Sequence, residues 1–318
     1  MQRLELLIKR ARAESLNKEY STVVGIPQED FVSWANEAQD RLFSEAIKQH
    51  PKYFLAEKII DSVSNQEAYD LPERIYLSHI ENMEYSVDGT ELNYYRLDQA
   101  KLPERISYPV GNPGYYIRRS KQFLLVPTPQ NGGAAKIRVN YVKEIPRLDI
   151  RRAKISAVTA SATAVTALTL TAADLATLDP GGELANNNYL SIVDRDGNLL
   201  MAGLEYDSIN TGTGVVTITG SSFTFESGES ISTSDYVVIG EYACNKPDLP
   251  NTAERYLIEW MTYRATFRDG SQRSKDQKAL CDEILVDTIG SFADIDHDIS
   301  SVTIINTDYL DAQRIDII

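Results

Sequence analysis

The spacing of apolar residues predicts helices near both ends of the chain. A stripe at i, i+3, i+4 and i+7 predicts a first helix over about 3–15, and a second stripe predicts one over about 27–50. After a long stretch without this spacing, it returns and predicts two more helices, at about 252–268 and 274–291. The first stripe consists of Leu4, Leu7, Ile8 and Ala11.

Residues 52–150 follow the pattern of β-strands, with aromatic and β-branched residues between prolines and glycines. Asp88-Gly89 and Asn131-Gly132-Gly133 predict hairpin turns. The predicted strands are Ala56–Val63, Tyr69–Leu71, Ile75–Tyr85, Tyr115–Arg119, Gln122–Val126 and Lys136–Val142.

Residues 153–240 differ in composition, being rich in Ala, Thr, Ser and Gly. Such a stretch is compatible with a disordered linker, but Asp196-Gly197 lies between two strand-like runs and predicts a hairpin. Thr211–Gly214 predicts another turn. These regular turn signals favour a separate small β-domain, either a barrel or a sandwich.

The predicted fold class is therefore α+β: an antiparallel helical bundle core with a β-layer, an inserted small β-barrel or sandwich, and an extended C-terminal arm. The expected boundaries place the first part of the core at 1–150 and the inserted domain at 151–243. The second part of the core follows at 244–293, and the arm at 294–318.

The net charge and the cysteine content limit the classes of protein to which the chain could belong. A net charge of −14 argues against a protein that grips nucleic acid through phosphate contacts, but not against a channel through which DNA slides. No apolar run is long enough for a membrane span, and the N-terminus is too charged for a signal peptide, so we expect assembly in a cytoplasm. Cys244 and Cys281 are expected to be free core thiols.

The search for chemistry yields no catalytic residues, no metal site and no cofactor site. His297, within Asp-Ile-Asp-His-Asp, is interpreted as part of a solvated acidic linker rather than a metal ligand. The carboxylates of Glu205 and Asp207 fit a solvated strand face better than a catalytic pair. Two basic clusters, 118–121 and 151–154, suit a solvated face, although each is also able to touch phosphates or an acidic subunit.

The last stretch, 294–318, is both acidic and apolar, which is unusual for a free disordered end. Together with the high tyrosine content, 18 residues, it favours a protein that assembles with others. The apolar residues of the arm expected to dock on a partner are Val302, Ile304, Ile305, Tyr309, Leu310, Ile315, Ile317 and Ile318.

Four segments in order resemble the head-to-tail adaptor proteins of tailed bacteriophages, also called gatekeeper or tubular ring proteins. The first, 31–39, is similar to an Asn-x-Ala helix, and the second, 65–73, to a Gln…Tyr-x-Leu-Pro element. The third, 123–141, contains a strand ending in Pro-x-Pro and a strand ending in Tyr, and the fourth is the helix pair 252–291. The inserted β-domain departs from the pattern.

This resemblance implies a structural virion protein and not an enzyme. It implies a dodecameric ring, a homo-oligomer, that lies between the portal protein and a tail or nozzle protein at the head–tail junction. Genomic DNA would pass through the ring without sequence-specific binding, and the arm would dock on the portal. Aromatic residues on helix flanks are the candidates for subunit contacts: Trp34, Tyr256, Trp260 and Tyr263.

Three other interpretations stay open at this point. A tail or baseplate component presenting the β-domain to a receptor or glycan would be trimeric. An enzyme acting on cell-wall polymer would use paired carboxylates such as Glu205 and Asp207. A cytoplasmic regulator is disfavoured by the lack of a basic surface.

Overall fold

The computed structural model describes residues 2–16, 26–101, 110–161, 164–171, 189–210, 212–219, 231–268 and 274–292. The chain divides into two compact units. The first contains residues 1–45 and 145–291, and the second contains residues 46–144 and 292–318.

Four α-helices occupy the predicted positions. They are α1 (Leu4–Leu16), α2 (Gln28–Gln49), α3 (Ala253–Arg268) and α4 (274–292). The apolar stripe of α1 is buried, and α1 packs against α3. Helix α2 has Glu29 and Asp30 in its first turn, where carboxylates are favoured by the helix dipole.

The second unit is built on a seven-stranded sheet with the order β1-β7-β3-β4-β5-β6-β2. One face of the sheet encloses an apolar core that includes Tyr85, Phe123 and Ile137. A short 3₁₀ helix, Pro51–Phe54, leads into the first strand. The strands are β1 (Leu55–Asp61), β2 (Ala68–Asp70), β3 (Ile75–Ser86), β4 (Tyr95–Gln99), β5 (Tyr115–Arg119), β6 (Gln122–Val126) and β7 (Lys136–Lys143).

The connection at Asp88-Gly89 joins two antiparallel neighbours, β3 and β4, but it is longer than a two-residue turn. It contains a 3₁₀ helix, Glu91–Asn93. The Asp88 carboxylate accepts hydrogen bonds from the Thr90 N–H (2.9 Å) and the Asn93 side chain (2.7 Å), and these lower the pKa of Asp88 to about 2. Strand β4 was missed from the sequence.

The predicted hairpin at Asn131-Gly132-Gly133 is wrong, because β6 and β7 are not neighbours in the sheet. Strand β7 instead pairs with β1 and β3. The loop packs against the chain that follows β1: the Gly133 N–H donates to the Ser62 carbonyl (3.2 Å), and the Ser64 hydroxyl donates to the Gln130 carbonyl (2.7 Å). Backbone contacts with a distant segment therefore replaced the expected local turn.

The first unit contains a closed six-stranded barrel, which confirms the predicted small β-domain and selects the barrel over the sandwich. Its strand order is β10-β13-β12-β11-β14-β9. Inward residues such as Ile192, Leu204 and Val216 fill its interior. The barrel strands are β9 (Ala153–Ser161), β10 (Ala164–Leu170), β11 (Tyr189–Val193), β12 (Leu199–Asn210), β13 (Val215–Ile218) and β14 (Tyr236–Ile239). Closure removes exposed strand edges.

Both turns predicted in the barrel are confirmed as connections between antiparallel neighbours. Asp196-Gly197 lies between β11 and β12, where the Asp194 carboxylate accepts a hydrogen bond from the Asn198 N–H (2.8 Å). The segment before Gly214 joins β12 to β13. Strand β9 was missed from the sequence.

A glycine-to-alanine pair tests the tight turn at Gly214. Both Gly214 (φ +73°) and Gly133 (φ +79°) adopt the left-handed region, so alanine is strained at either position. A Cβ at Gly214 would also lie 2.4 Å from the Leu170 carbonyl oxygen, whereas none of the described atoms lies within 4 Å at Gly133. We expect Gly214→Ala to lower the free energy of unfolding by about 1–2 kcal/mol more than Gly133→Ala. Urea denaturation of both variants measures this difference, and equal losses would contradict it.

The α+β class is confirmed, whereas the antiparallel helical bundle core stays a prediction. Both cysteines are free and buried, as predicted. Burial raises the pKa of Cys281 to about 12 and also raises the pKa of Cys244, so neither thiol is activated.

Candidate interaction surfaces

The 145–152 segment joins the β-strands of the first half of the chain to the barrel, and α2 holds it in place. Asn36 on α2 donates to the Leu148 carbonyl (2.8 Å) and accepts the Leu148 N–H (2.8 Å). Gln39, one turn later, donates to the Pro146 carbonyl (2.8 Å). These amides satisfy backbone groups that would otherwise be buried without partners.

Within the same segment, β8 (Arg147–Leu148) pairs in parallel with β15 (Ala243–Cys244), which follows the barrel. The segment that enters the barrel and the segment that leaves it therefore run side by side. Asn245 adds a hydrogen bond from its side chain to the Asp149 carbonyl (2.9 Å). The barrel is thus tied to the helices of the first unit by both of its connections.

Arg152 is the centre of a buried ion cluster at this junction. Its guanidinium donates twice to Asp149 (2.6 and 3.0 Å) and twice to Glu29 on α2 (2.6 and 2.7 Å). The Asp149 carboxylate also accepts the N–H of Ile239, the last residue of β14 (2.8 Å). The interpretation of 151–154 as a solvated face is therefore wrong for Arg152, whose side chain is 5% exposed.

A second arginine cluster lies on the sheet of the second unit. Arg138 on β7 is paired with Glu57 (3.3 Å), Glu84 (3.2 Å) and Glu91, and its guanidinium stacks over the Tyr94 ring at 3.8 Å. Its side chain is 12% exposed, so the cluster is partly shielded from solvent. Three carboxylates around one cation leave this face of the sheet acidic.

The four predicted contact residues differ in exposure. Tyr256 and Trp260 on α3 are buried within the first unit, while Tyr263 and Trp34 are half-buried. The aromatic rings of α3 contact one another in series, from Tyr256 through Trp260 and Tyr263 to Phe267, which is 57% exposed. The sequence analysis did not predict Phe267 as a contact residue, although it continues the helical spacing of the other three aromatic residues.

Two polar groups in this series are buried. The Trp260 indole N–H has no hydrogen-bond acceptor among the described residues, and the Arg41 guanidinium lies over its ring at 4.9 Å. Burial raises the pKa of the Tyr256 hydroxyl, and the nearby Arg41 opposes this rise. Arg41 is itself paired with Asp282 on α4 (2.7 Å), so it links three helices of the first unit.

The other basic cluster, 118–121, forms the exposed turn between β5 and β6. Arg118 donates to the Ser78 carbonyl (2.8 Å). Glu205 and Asp207 both lie exposed on β12. The eight apolar residues of the predicted arm and His297 lie outside the described residues.

Nothing in the described part of the chain gathers three or more potential metal ligands. Within the same described ranges, no helix is long and apolar enough to cross a membrane.

Residues 2–151 match the family model described as SU10 adaptor protein. The match covers α1, α2, the seven-stranded sheet and residues 145–151, and it ends just before the first barrel strand. No curated protein matches the chain. The predicted resemblance to phage head-to-tail adaptors is confirmed over these residues.

Proposed function

We propose that this protein is a head-to-tail adaptor subunit that forms a dodecameric ring between the portal and the tail. The observation that carries the proposal is the family match over 2–151. The helices before and after the barrel would form one adaptor core, with the barrel as an insertion. Genomic DNA would pass through the ring, and the protein would be assembled in the host cytoplasm.

The polar chemistry of the described residues supports a structural role. The buried Arg152 is paired with the carboxylates of Asp149 and Glu29, and the Asn36 and Gln39 amides hold backbone groups. These side chains are used for internal rigidity rather than for binding a substrate. A rigid subunit suits a ring, since a heterologous contact closes only when its rotation is constant.

Subunit contacts would use the exposed end of the α3 series, with Phe267, Tyr263 and Trp34 contributing accessible apolar area. Tyr256 and Trp260 would support this surface from within the subunit. The arm at 294–318 would dock on the portal, where its isoleucines and Tyr309 would supply buried apolar contact.

Electron microscopy of the purified protein with and without its portal tests the proposal. We expect rings of twelve subunits on the portal, because identical head-to-tail contacts close into a ring and the portal would set the number of subunits in it. A variant lacking Ile299–Ile318 should fail to cosediment with the portal if the arm docks there. Trimers would overturn the proposal in favour of a tail or baseplate component that presents the barrel to a receptor or glycan. Normal cosedimentation of the shortened variant would overturn arm docking.

A further inference from the structure

Strand β1 leaves one edge of the seven-stranded sheet open. It lies at the end of the strand order and pairs with β7 alone among the described strands. The pairing runs without a register shift from Leu55–Val142 to Asp61–Lys136, so the outer edge is regular over seven residues. Along such an edge, alternate N–H and C=O groups point away from the sheet and are available to another strand.

The composition of β1 does little to protect this edge. Proteins commonly block an open edge with a proline, a bulge or a very short strand. The opposite edge, β2, is only three residues long, but β1 has neither a proline nor a bulge. Leu55 and Ile59 are 37% and 46% exposed, and Val63 just after the strand is 49% exposed. Only Lys58 places a cation in the middle of the strand.

The chain beyond α4 starts beside this edge. Phe292, the last residue of α4, is fully buried in the second unit, where its ring contacts Tyr53 (4.7 Å) and Phe54 (5.8 Å). Tyr53 and Phe54 belong to the 3₁₀ helix that leads directly into Leu55. The 26 residues that follow Phe292 therefore begin next to the first residue of β1.

Within those residues, 301–306 has the composition of a strand. Its sequence, Ser-Val-Thr-Ile-Ile-Asn, contains four consecutive β-branched residues and no charge, glycine or proline. The eight residues 293–300 that precede it are able to span about 26 Å when extended, and β1 is about 23 Å long. Either end of β1 is therefore within reach.

We propose that residues 301–306 add to the open edge of β1 of the same chain as an eighth strand in the free subunit. The ladder would satisfy the outward N–H and C=O groups of β1, and the isoleucines would cover the exposed Leu55 and Ile59. The same chain is favoured over a second copy because a tether of eight residues holds the segment at an effective concentration in the millimolar range. Purified subunits are normally far more dilute than this.

Hydrogen exchange of the free full-length protein, without portal, tests the proposal. Alternate amides of β1 should exchange about ten-fold more slowly in the full chain than in a variant shortened after Ile299. Amides of β7 should be unchanged, which reports that the shortened variant is folded. Equal exchange of the β1 amides in both proteins would overturn the proposal.

A proline pair tests whether 301–306 itself forms the ladder. The N–H groups of adjacent strand residues point to opposite sides, so Thr303→Pro/Ile304→Pro removes one donor towards β1 in either register. This variant should exchange like the shortened protein, whereas the matched control Asp311→Pro/Ala312→Pro should exchange like the full chain. If the protection of the β1 amides is lost on dilution and light scattering gives the mass of a dimer, the added strand comes from a second copy. That result would overturn addition within the same chain. None of these outcomes depends on ring formation, so they are independent of the proposed function.

Discussion

Replacing Arg152 by methionine is expected to lower the free energy of unfolding by about 3–5 kcal/mol. The substitution keeps much of the side-chain volume but removes the cation that lies between Asp149 and Glu29. The Asp149 side chain is 7% exposed, so its carboxylate would be left buried beside an apolar side chain. Burying an unpaired charge is among the largest single destabilising effects in proteins. Urea denaturation followed by circular dichroism measures the loss.

Arg147→Met is the matched control, because Arg147 belongs to the same segment and is also paired with an aspartate. Its side chain and that of Asp40 are 71% and 58% exposed, and their charged atoms lie 3.7 Å apart. Such a pair contributes at most about 1 kcal/mol. If both variants lose the same stability, the Arg152 cluster is not the anchor that its geometry indicates.

The Arg152→Met variant should also depend on pH. Burial raises the pKa of Asp149, and the hydrogen bonds and charge of Arg152 oppose that rise. Without Arg152 the folded-state pKa rises further above the unfolded value of about 4. The folded variant then holds a proton that the unfolded chain releases, so its stability falls as the pH rises from about 4 through the folded-state pKa. The difference from the unsubstituted protein should therefore be smaller at pH 5 than at pH 7.

Replacing Asn36 by alanine is expected to lower the free energy of unfolding by about 2–4 kcal/mol. The Asn36 side chain forms hydrogen bonds with both backbone groups of Leu148. Its amide NH₂ also donates to the Val32 carbonyl (3.0 Å). Each buried backbone group left without a partner costs about 1–3 kcal/mol. Loss of this clamp should also speed hydrogen exchange in the 145–152 segment.

Ser33→Ala is the control for Asn36→Ala, since Ser33 is exposed on the same helix one turn earlier. It should change the stability by less than about 0.5 kcal/mol. Denaturation curves for the two variants separate the loss of the clamp from a general effect on α2. Equal stability of the two variants would show that water or a rearranged backbone replaces the Asn36 contacts.

The contacts of Asn36 give a structural role to one of the segments that resemble the adaptor family. The segment 31–39 was interpreted from sequence as an adaptor-like helix, and the Asn36 and Gln39 amides in it hold the backbone at Leu148 and Pro146. Two residues of the first of the four resembling segments therefore position the entrance to the barrel. No pattern within the chain indicated this contact, since Asn36 and Leu148 are 112 positions apart.

Local pattern was enough to predict the helices and most strands, because their periodicity reflects which side chains face a core. It was also enough for the barrel turns, where short loops join neighbours in sequence. It failed for the loop 131–133 and for β4 and β9. Residue types in a turn do not show which strands pair across the sheet, and strands of mixed polarity do not show clear alternation.

By itself, the sequence determined that the chain is an α+β protein with a small β-domain, two free thiols and the four helices seen in its described part. It also determined the resemblance to phage adaptors, because these properties depend on residues that are close in the chain. The tertiary structure alone decided that the small domain closes into a six-stranded barrel, that Arg152 is buried rather than solvated, and that β1 is the edge strand of the described sheet. Each of these depends on contacts between residues far apart in the chain, and periodicity does not record such contacts.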